Sequence, residues 1–250
     1  MEVHYGERGI IGLINISSCV NLEPELYAMA PDGIAILTGR VSLPKTNPEE
    51  LRKLAGKAKD MAGELATAKP DLIVFACTSG SFINGKGYDR EVSEMLGREA
   101  GGIPVLTPAF ALLRALETLN VRKISFGSPY VEEVNESAKR FFTDNGYKVE
   151  KIEGLGLETD YEIGLLDTES ICNLARSVNV PESEVIILSC TNLKTAPIIE
   201  KLEKELGKPV ISANQATLWC ALRMMKIKDK IQGLGKLMRM DMEQKNETQL

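Results

Sequence analysis

DLIVFACT at 71–78 and EVIILSCT at 184–191 match position by position: an acidic residue, a run of apolar residues, then a small residue followed by Cys-Thr. A short apolar run bounded by polar residues is the pattern of a strand buried on both faces, as in a parallel sheet. A second pair, PVLTPAFALL at 104–113 and PVISANQATL at 209–218, recurs in the same order. A strand-turn-helix unit that occurs twice predicts two similar halves, each ending a strand in Cys-Thr. Open parallel sheets place ligands at the carboxyl ends of their strands, so both Cys-Thr pairs are expected at one site.

Working outward, strands are predicted at 10–16 (IIGLINI), 34–37, 71–76, 103–106, 122–127, 147–152, 184–189 and 209–212. Helical periods lie between them. One face of a helix collects Leu51, Leu54, Ala55, Ala58, Met61, Ala62 and Leu65, with Asn47 as N-cap, Pro48 in the first turn and Glu50 completing a capping-box pattern. Further helices are predicted over 108–119, 131–145, 169–178, 196–206 and 214–225. The alternation predicts an α/β fold of two pseudosymmetric halves, each a parallel sheet flanked by helices, with the active site in the cleft between them. The expected boundaries are 1–115 plus 214–240 for the first half and 116–213 for the second, with a disordered polar tail at 243–250.

The composition narrows the chemistry. A net charge of −5, with basic residues scattered among acidic ones, argues against nucleic acid. No apolar run approaches the ~20 residues that span a bilayer. The first residues lack the pattern of a secretory signal, so a cytoplasmic protein without a membrane partner is expected. The single histidine, His4, leaves little for Ser-His-Asp or multi-histidine metal chemistry, and no metal is expected.

Five cysteines stand at 19, 77, 172, 190 and 220, with no CxxC among them, and are expected to be reduced thiols. Cys172 and Cys220 fall in apolar helical patterns and read as core. Cys77 and Cys190 occupy equivalent places just past buried strands. Each enters a segment (CTSGSF, CTNLKT) of the kind that turns a strand into a helix, where free backbone N–H groups, with Thr78, Ser79, Thr191 and Asn192, would hold a carboxylate. The same field is expected to lower the thiol pKa toward neutrality. Two thiols facing each other across a carboxylate suit proton transfer, one as thiolate base and the other as thiol acid. Cys19 ends the loop after the first strand, and Tyr130 ends FGSPY with a phenol that can donate to a carboxylate.

With these residues in hand, the chain resembles the Asp/Glu racemase superfamily, in the branch holding maleate cis-trans isomerases and arylmalonate decarboxylases. GLINISS at 12–18, which includes Asn15, Ser17 and Ser18, looks like the family's first strand and carboxylate-binding loop. ACTSGSF at 76–82 and SCTNL at 189–193 look like its two cysteine motifs, and SPYVEEVNE at 128–136 like the segment with its ligand-binding tyrosine. The resemblance implies an isomerase without a cofactor, acting on a small carboxylate. Cys77 would be the nucleophile and Cys190 the acid/base, as in maleate isomerases; arylmalonate decarboxylases keep only the second cysteine. Two positions depart from the isomerase pattern: Cys19 stands where an asparagine follows Ser-Ser, and Asp160 where a second asparagine is expected. A carboxylate at 160 repels a dicarboxylate unless it is protonated or turned away, and would instead greet an ammonium group. The expected function is therefore a two-cysteine cis-trans isomerase. The alternatives are a two-base racemase of an amino acid or related α-substituted acid, an arylmalonate-decarboxylase-like enzyme, or a non-catalytic small-molecule binding protein. Assembly as a homodimer or higher homo-oligomer stays open.

Overall fold

A computed structural model describes residues 4–242, so the tail at 243–250 lies outside the described residues. The first sheet is built from β1 (Gly9–Ile16), β2 (Ile34–Val41), β3 (Leu72–Phe75) and β4 (Val105–Leu106), with α1 (Leu22–Met29), α2 (Pro48–Lys57), α3 (Lys59–Ala66), α4 (Thr78–Phe82) and α5 (Tyr88–Glu99) in its connections and α6 (Pro108–Thr118) after it. The second is built from β5 (Lys123–Ser128), β6 (Lys148–Gly154), β7 (Val185–Leu188) and β8 (Val210–Ser212), with α7 (Glu132–Asp144), α8 (Asp160–Leu165), α9 (Thr168–Ser177) and α10 (Ile199–Leu206) in its connections and α11 (Ala213–Met224) after it.

The strand orders are β2-β1-β3-β4 and β6-β5-β7-β8, every pairing parallel. The two sheets are thus the same pattern built twice: β3 and β7, which carry the Cys-Thr pairs, hold the same place in each. Both are buried along their whole length, which is why LIVF and VIIL are uninterrupted apolar runs. The edge strand β6 is instead only half-buried and rich in Lys and Glu, as suits an edge.

The second repeat also has a structural meaning. Thr107 and Ser212 are equivalent in it, and each caps the helix that follows its sheet: Thr107 Oγ1 accepts the Phe110 N–H at 3.3 Å, and Ser212 Oγ accepts the Gln215 N–H at 3.1 Å. The two capped helices, α6 and α11, pack against each other and join the halves. From α11 the chain returns beneath it, where the buried Arg223 donates to the carbonyls of Ile227 and Asp229.

Three expectations need correction. The helix predicted from Pro48 through Leu65 is two helices, α2 and α3, meeting at Ala58, which keeps the apolar face intact. Asn47 Oδ1 accepts the Glu50 N–H at 3.0 Å, but the Glu50 carboxylate pairs with Lys53 and Lys57, so the capping box is half made. The helix predicted from 196 starts only at Ile199, because Thr195 and Ala196 give their N–H groups to Glu25. Helices α1, α5 and α8 were not anticipated; α1 carries Pro24 in its first turn, where proline is tolerated. Among the described residues no helix is long and apolar enough to cross a membrane.

Candidate active site

The carboxyl ends of β1, β3, β5 and β7 converge on one enclosed region. Asn15 lies near the end of β1, Cys77 follows β3, Tyr130 follows β5 and Cys190 follows β7. All four are buried, the two cysteines at 5% and 6% exposure. The halves touch here directly: Thr191 Oγ1 donates to the Ala76 carbonyl at 3.2 Å, and the Cys19 thiol lies 3.9 Å from the Thr191 carbonyl.

The first cysteine loop behaves as its sequence suggested. Cys77 is the N-cap of α4, and its Sγ accepts the Gly80 N–H at 3.3 Å, with Ser79 Oγ at 3.8 Å. Gly80 is required there, since a Cβ would come within 3.0 Å of the Cys77 sulfur. The second loop differs. No helix starts directly after Cys190; its Sγ accepts a long bond, 3.5 Å, from the Asn192 N–H and is also within hydrogen-bonding reach of the Tyr130 phenol. Asn192 is a junction: its Oδ1 accepts the N–H groups of Val20 and Asn21, and its Nδ2 donates to the Asp160 carbonyl at 2.7 Å. Its amide is thereby occupied with protein partners, and the Thr191 hydroxyl is likewise engaged with Ala76.

The donors left for a ligand are Asn15 Nδ2 and Thr78 Oγ1, both buried and without a hydrogen-bond partner among the described residues. The Tyr130 hydroxyl, 3.5 Å from Ser189 Oγ, stands with them and lies close enough to both thiols for its ionisation to be coupled to theirs. A buried polar group without a partner is costly, so such atoms mark where a polar ligand completes the structure. Ser17 does not join them: its side chain is exposed, and its carbonyl accepts from Arg40.

Burial overrides the expected acidification of the thiols. Burial pushes the Cys77 thiol up to about 11, with the Gly80 N–H and Ser79 pulling down more weakly. Cys190 rises further, first through burial and then through the nearby Asp160 carboxyl, and Cys19 rises to about 12 for the same two reasons. Desolvation disfavours the thiolate more than one or two donors favour it. The order survives, however: Cys77 is the more readily ionised of the pair.

Asp160 is the first residue of α8 and only 6% exposed. Ser18 Oγ donates to its Oδ2 at 2.8 Å, and burial raises its carboxyl above the usual range. It shares a buried region with Cys19, Cys77 and Cys190, whose ionisation its charge opposes. Residues that the sequence did not single out hold this constellation in place. Arg40, at the end of β2, donates to the Ser17 and Cys19 carbonyls at 3.0 Å each and pairs with Glu23. Ser128 Oγ accepts the Tyr130 N–H at 3.2 Å and donates to Asn135 Oδ1 at 2.6 Å, and Asn135 Nδ2 donates to the Tyr130 carbonyl at 3.2 Å. Asn135 lies within the quoted SPYVEEVNE segment; Arg40 has no signal beyond its place at a strand end. Among the described residues no group of three or more His, Cys, Asp or Glu is arranged to hold a metal ion.

The family model for arylmalonate decarboxylase matches residues 11–238. A curated maleate isomerase from Geobacillus stearothermophilus is 25% identical over 241 residues, covering 91% of this chain and 96% of that protein. The arylmalonate decarboxylase of Bordetella bronchiseptica is 27% identical over 216 residues, covering 86% and 89%. Among solved structures, a cysteine-to-serine mutant of Nocardia farcinica maleate cis-trans isomerase with a covalently bound succinylcysteine intermediate superposes with a TM-score of 0.88 at 25% identity, covering 92% of this chain and 98% of that one.

Proposed function

This chain belongs to the arylmalonate decarboxylase family, and on that premise we propose that it is a two-cysteine cis-trans isomerase of a small unsaturated dicarboxylate, with maleate as the reference substrate. The observation that carries the proposal is the pair of thiols, Cys77 and Cys190, at equivalent strand ends in one enclosed site that also offers Asn15, Thr78 and Tyr130 as neutral donors. The succinylcysteine intermediate of the Nocardia relative supports the same chemistry.

In the proposed reaction the Cys77 sulfur, as thiolate, adds to one alkene carbon. The π pair moves to the neighbouring carbon and its carboxylate, and that carbon takes a proton from the Cys190 thiol. The former double bond is now single and rotates. The Cys190 thiolate takes the proton back from that carbon, the double bond re-forms and the C–S bond breaks, releasing the trans isomer and restoring the Cys77 thiolate and the Cys190 thiol. Addition and elimination are redox-neutral, so no cofactor is required, and a cytoplasmic setting would keep the thiols reduced. Tyr130, Thr78 and Asn15 supply donors to the carboxylate on which charge accumulates. Because burial disfavours the thiolate, a substrate that brings no positive charge must react through a small ionised fraction or through proton transfer on binding.

The test is proton NMR of maleate with the purified protein in D₂O. Wild type should convert maleate to fumarate, and Cys77→Ser and Cys190→Ser should each lose turnover by roughly 10³-fold or more, as nucleophile and acid/base removals do. Near wild-type rates in either variant would end the paired-thiol mechanism. Asp160 favours a second reading, racemisation of an acid bearing an α-ammonium group. Deuterium entering the α position of a chiral amino acid at each turnover would establish it.

A further inference from the structure

Among the described residues, Asp160 is the carboxylic acid whose charge bears on all three thiols of the site. Its surroundings make it a different group from an ordinary aspartate. From the loop after β1 come the Ser18 hydroxyl, which donates to Oδ2 at 2.8 Å, and the buried Cys19 thiol. From the β3 end comes Cys77; from the β7 end come Cys190 and Asn192, whose amide donates to the Asp160 carbonyl at 2.7 Å. Arg40 on β2 acts on Cys19 but is engaged with Glu23 and with the carbonyls of Ser17 and Cys19. On α8 itself, Glu162 turns away to Thr159 in a capping box, and Tyr161 is exposed. No cation contributes to the Asp160 environment; burial dominates it, with Ser18 and Asn192 as the only counterweights. All three thiols that share the region are themselves pushed up by the Asp160 charge.

A dicarboxylate brought into this site as a dianion meets no cation paired with Asp160 among the described residues, and an ionised Asp160 would add a third negative charge within one enclosed space. Burial of an unpaired charge is resolved by protonation rather than endured. Ser18 occupies Oδ2, which leaves the other oxygen to carry a proton. We propose that Asp160 works as a neutral carboxylic acid, donating its O–H to the second carboxylate of the substrate, and so is the residue that selects dicarboxylates over monocarboxylates. This deepens the isomerase reading above and rests on it.

The consequence is proton-linked binding. The folded-state pKa of Asp160 lies above its usual value of 3.8. As pH rises through that raised value the free enzyme loses the proton, and binding a dianion must then restore it. Below the Asp160 titration kcat/KM for maleate should rise about tenfold per pH unit with the Cys77 thiolate; above it, loss of the Asp160 proton should cancel that rise and leave a plateau. Asp160→Asn keeps a donor but cannot titrate, so its kcat/KM should go on rising where the wild type levels off.

The direct experiment is calorimetry of succinate, an unreactive dicarboxylate, against the wild type in two buffers of different ionisation heat, at a pH above the Asp160 titration. Wild type should take up about one proton per succinate, and Asp160→Asn should bind succinate with none. Butyrate, with one carboxylate, should bind weakly and without proton uptake in both. Ser18→Ala removes a donor that favours the anion and should move the onset of the kcat/KM plateau to higher pH, which tests the proposal on a second variant. Zero uptake by wild type would overturn the proposal. So would equal uptake by wild type and Asp160→Asn, or a wild type that binds an α-ammonium acid but not succinate. Proton uptake by a protein that does not isomerise maleate would leave Asp160 as the dicarboxylate reader and sink the isomerase reading instead; isomerisation without uptake would do the reverse.

Discussion

The two cysteine loops begin from the same strand position and part company after one residue. Past Cys77 the chain turns at once into α4, which points the Gly80 N–H at the sulfur. Past Cys190 it runs through eight residues without a helix, held by other parts of the molecule: Asn192 by the loop after β1, and Thr195 and Ala196 by the Glu25 carboxylate of α1. The first thiol is thus conditioned by its own loop, and the second by the opposite half. Duplication supplies a symmetric pair, but the proposed addition needs unequal thiols, one easier to ionise and one that keeps its proton. The difference in the following segment, together with Asp160 beside Cys190, produces that inequality.

The strongest way to break this comparison is to exchange the roles. With maleate, Cys190→Ser should accumulate a covalent adduct on Cys77, seen as a mass increase of one maleate that maps to residue 77. Cys77→Ser should form none on Cys190. The contrast is all or none, because only the thiol that ionises adds to the alkene, while the other supplies a proton. An adduct on Cys190 in the Cys77→Ser protein, formed as fast as the first, would show the loops to be equivalent.

Next in size is the tether of the second loop. Glu25 is buried, and its carboxylate accepts from the Thr195 N–H, the Thr195 hydroxyl at 2.9 Å, the Ala196 N–H at 2.8 Å and Asn214 Nδ2 at 2.7 Å. Glu25→Ala leaves several buried donors without an acceptor, at roughly 1–3 kcal/mol each, so a total loss of at least about 3 kcal/mol in urea unfolding is expected. A loss under about 1 kcal/mol would mean that the second loop holds its shape without the first half. Tyr130→Phe tests the shared ground between the loops. Its phenol is buried near both thiols, 3.5 Å from Ser189 Oγ, and its backbone is held by Ser128 and Asn135, so removing the O–H should lower kcat by about 10²-fold with little change in KM, as loss of one donor to developing charge does.

These contrasts also explain what was legible beforehand. The central strands could be read because buried parallel strands are short apolar runs, and LIVF and VIIL say so residue by residue. Both repeats carried through to matching topology, and the residues around Cys77 were readable because their bonds are local, three positions or fewer apart. The second loop was not. Its geometry depends on Val20, Asn21 and Glu25, some 170 residues away in sequence, and no period or cap announces such contacts. Nor could the thiol pKa be read, since the helix-start motif is visible in CTSG while the burial that overrides it is a property of the assembled halves.

An exposed bridge between the halves gives the smallest expected effect. Thr46, in the loop after β2, donates its N–H to the Glu158 carbonyl at 2.7 Å, and Lys45 Nζ lies 3.3 Å from Glu158 Oε2. Both partners of that ion pair are more than half exposed, at 57% and 64%. An exposed pair is screened by salt and pays side-chain entropy for its geometry, so Lys45→Ala should cost no more than about 0.5 kcal/mol in unfolding. Turnover should stay within about twofold of wild type, since the Thr46 backbone bond still joins the loops. The Glu25 tether and the Lys45 pair both cross between the halves, yet one is buried with four donors and the other is wet. If the Lys45 variant lost as much stability as Glu25→Ala, burial would not be what separates a contact that shapes the second loop from one that merely spans the gap.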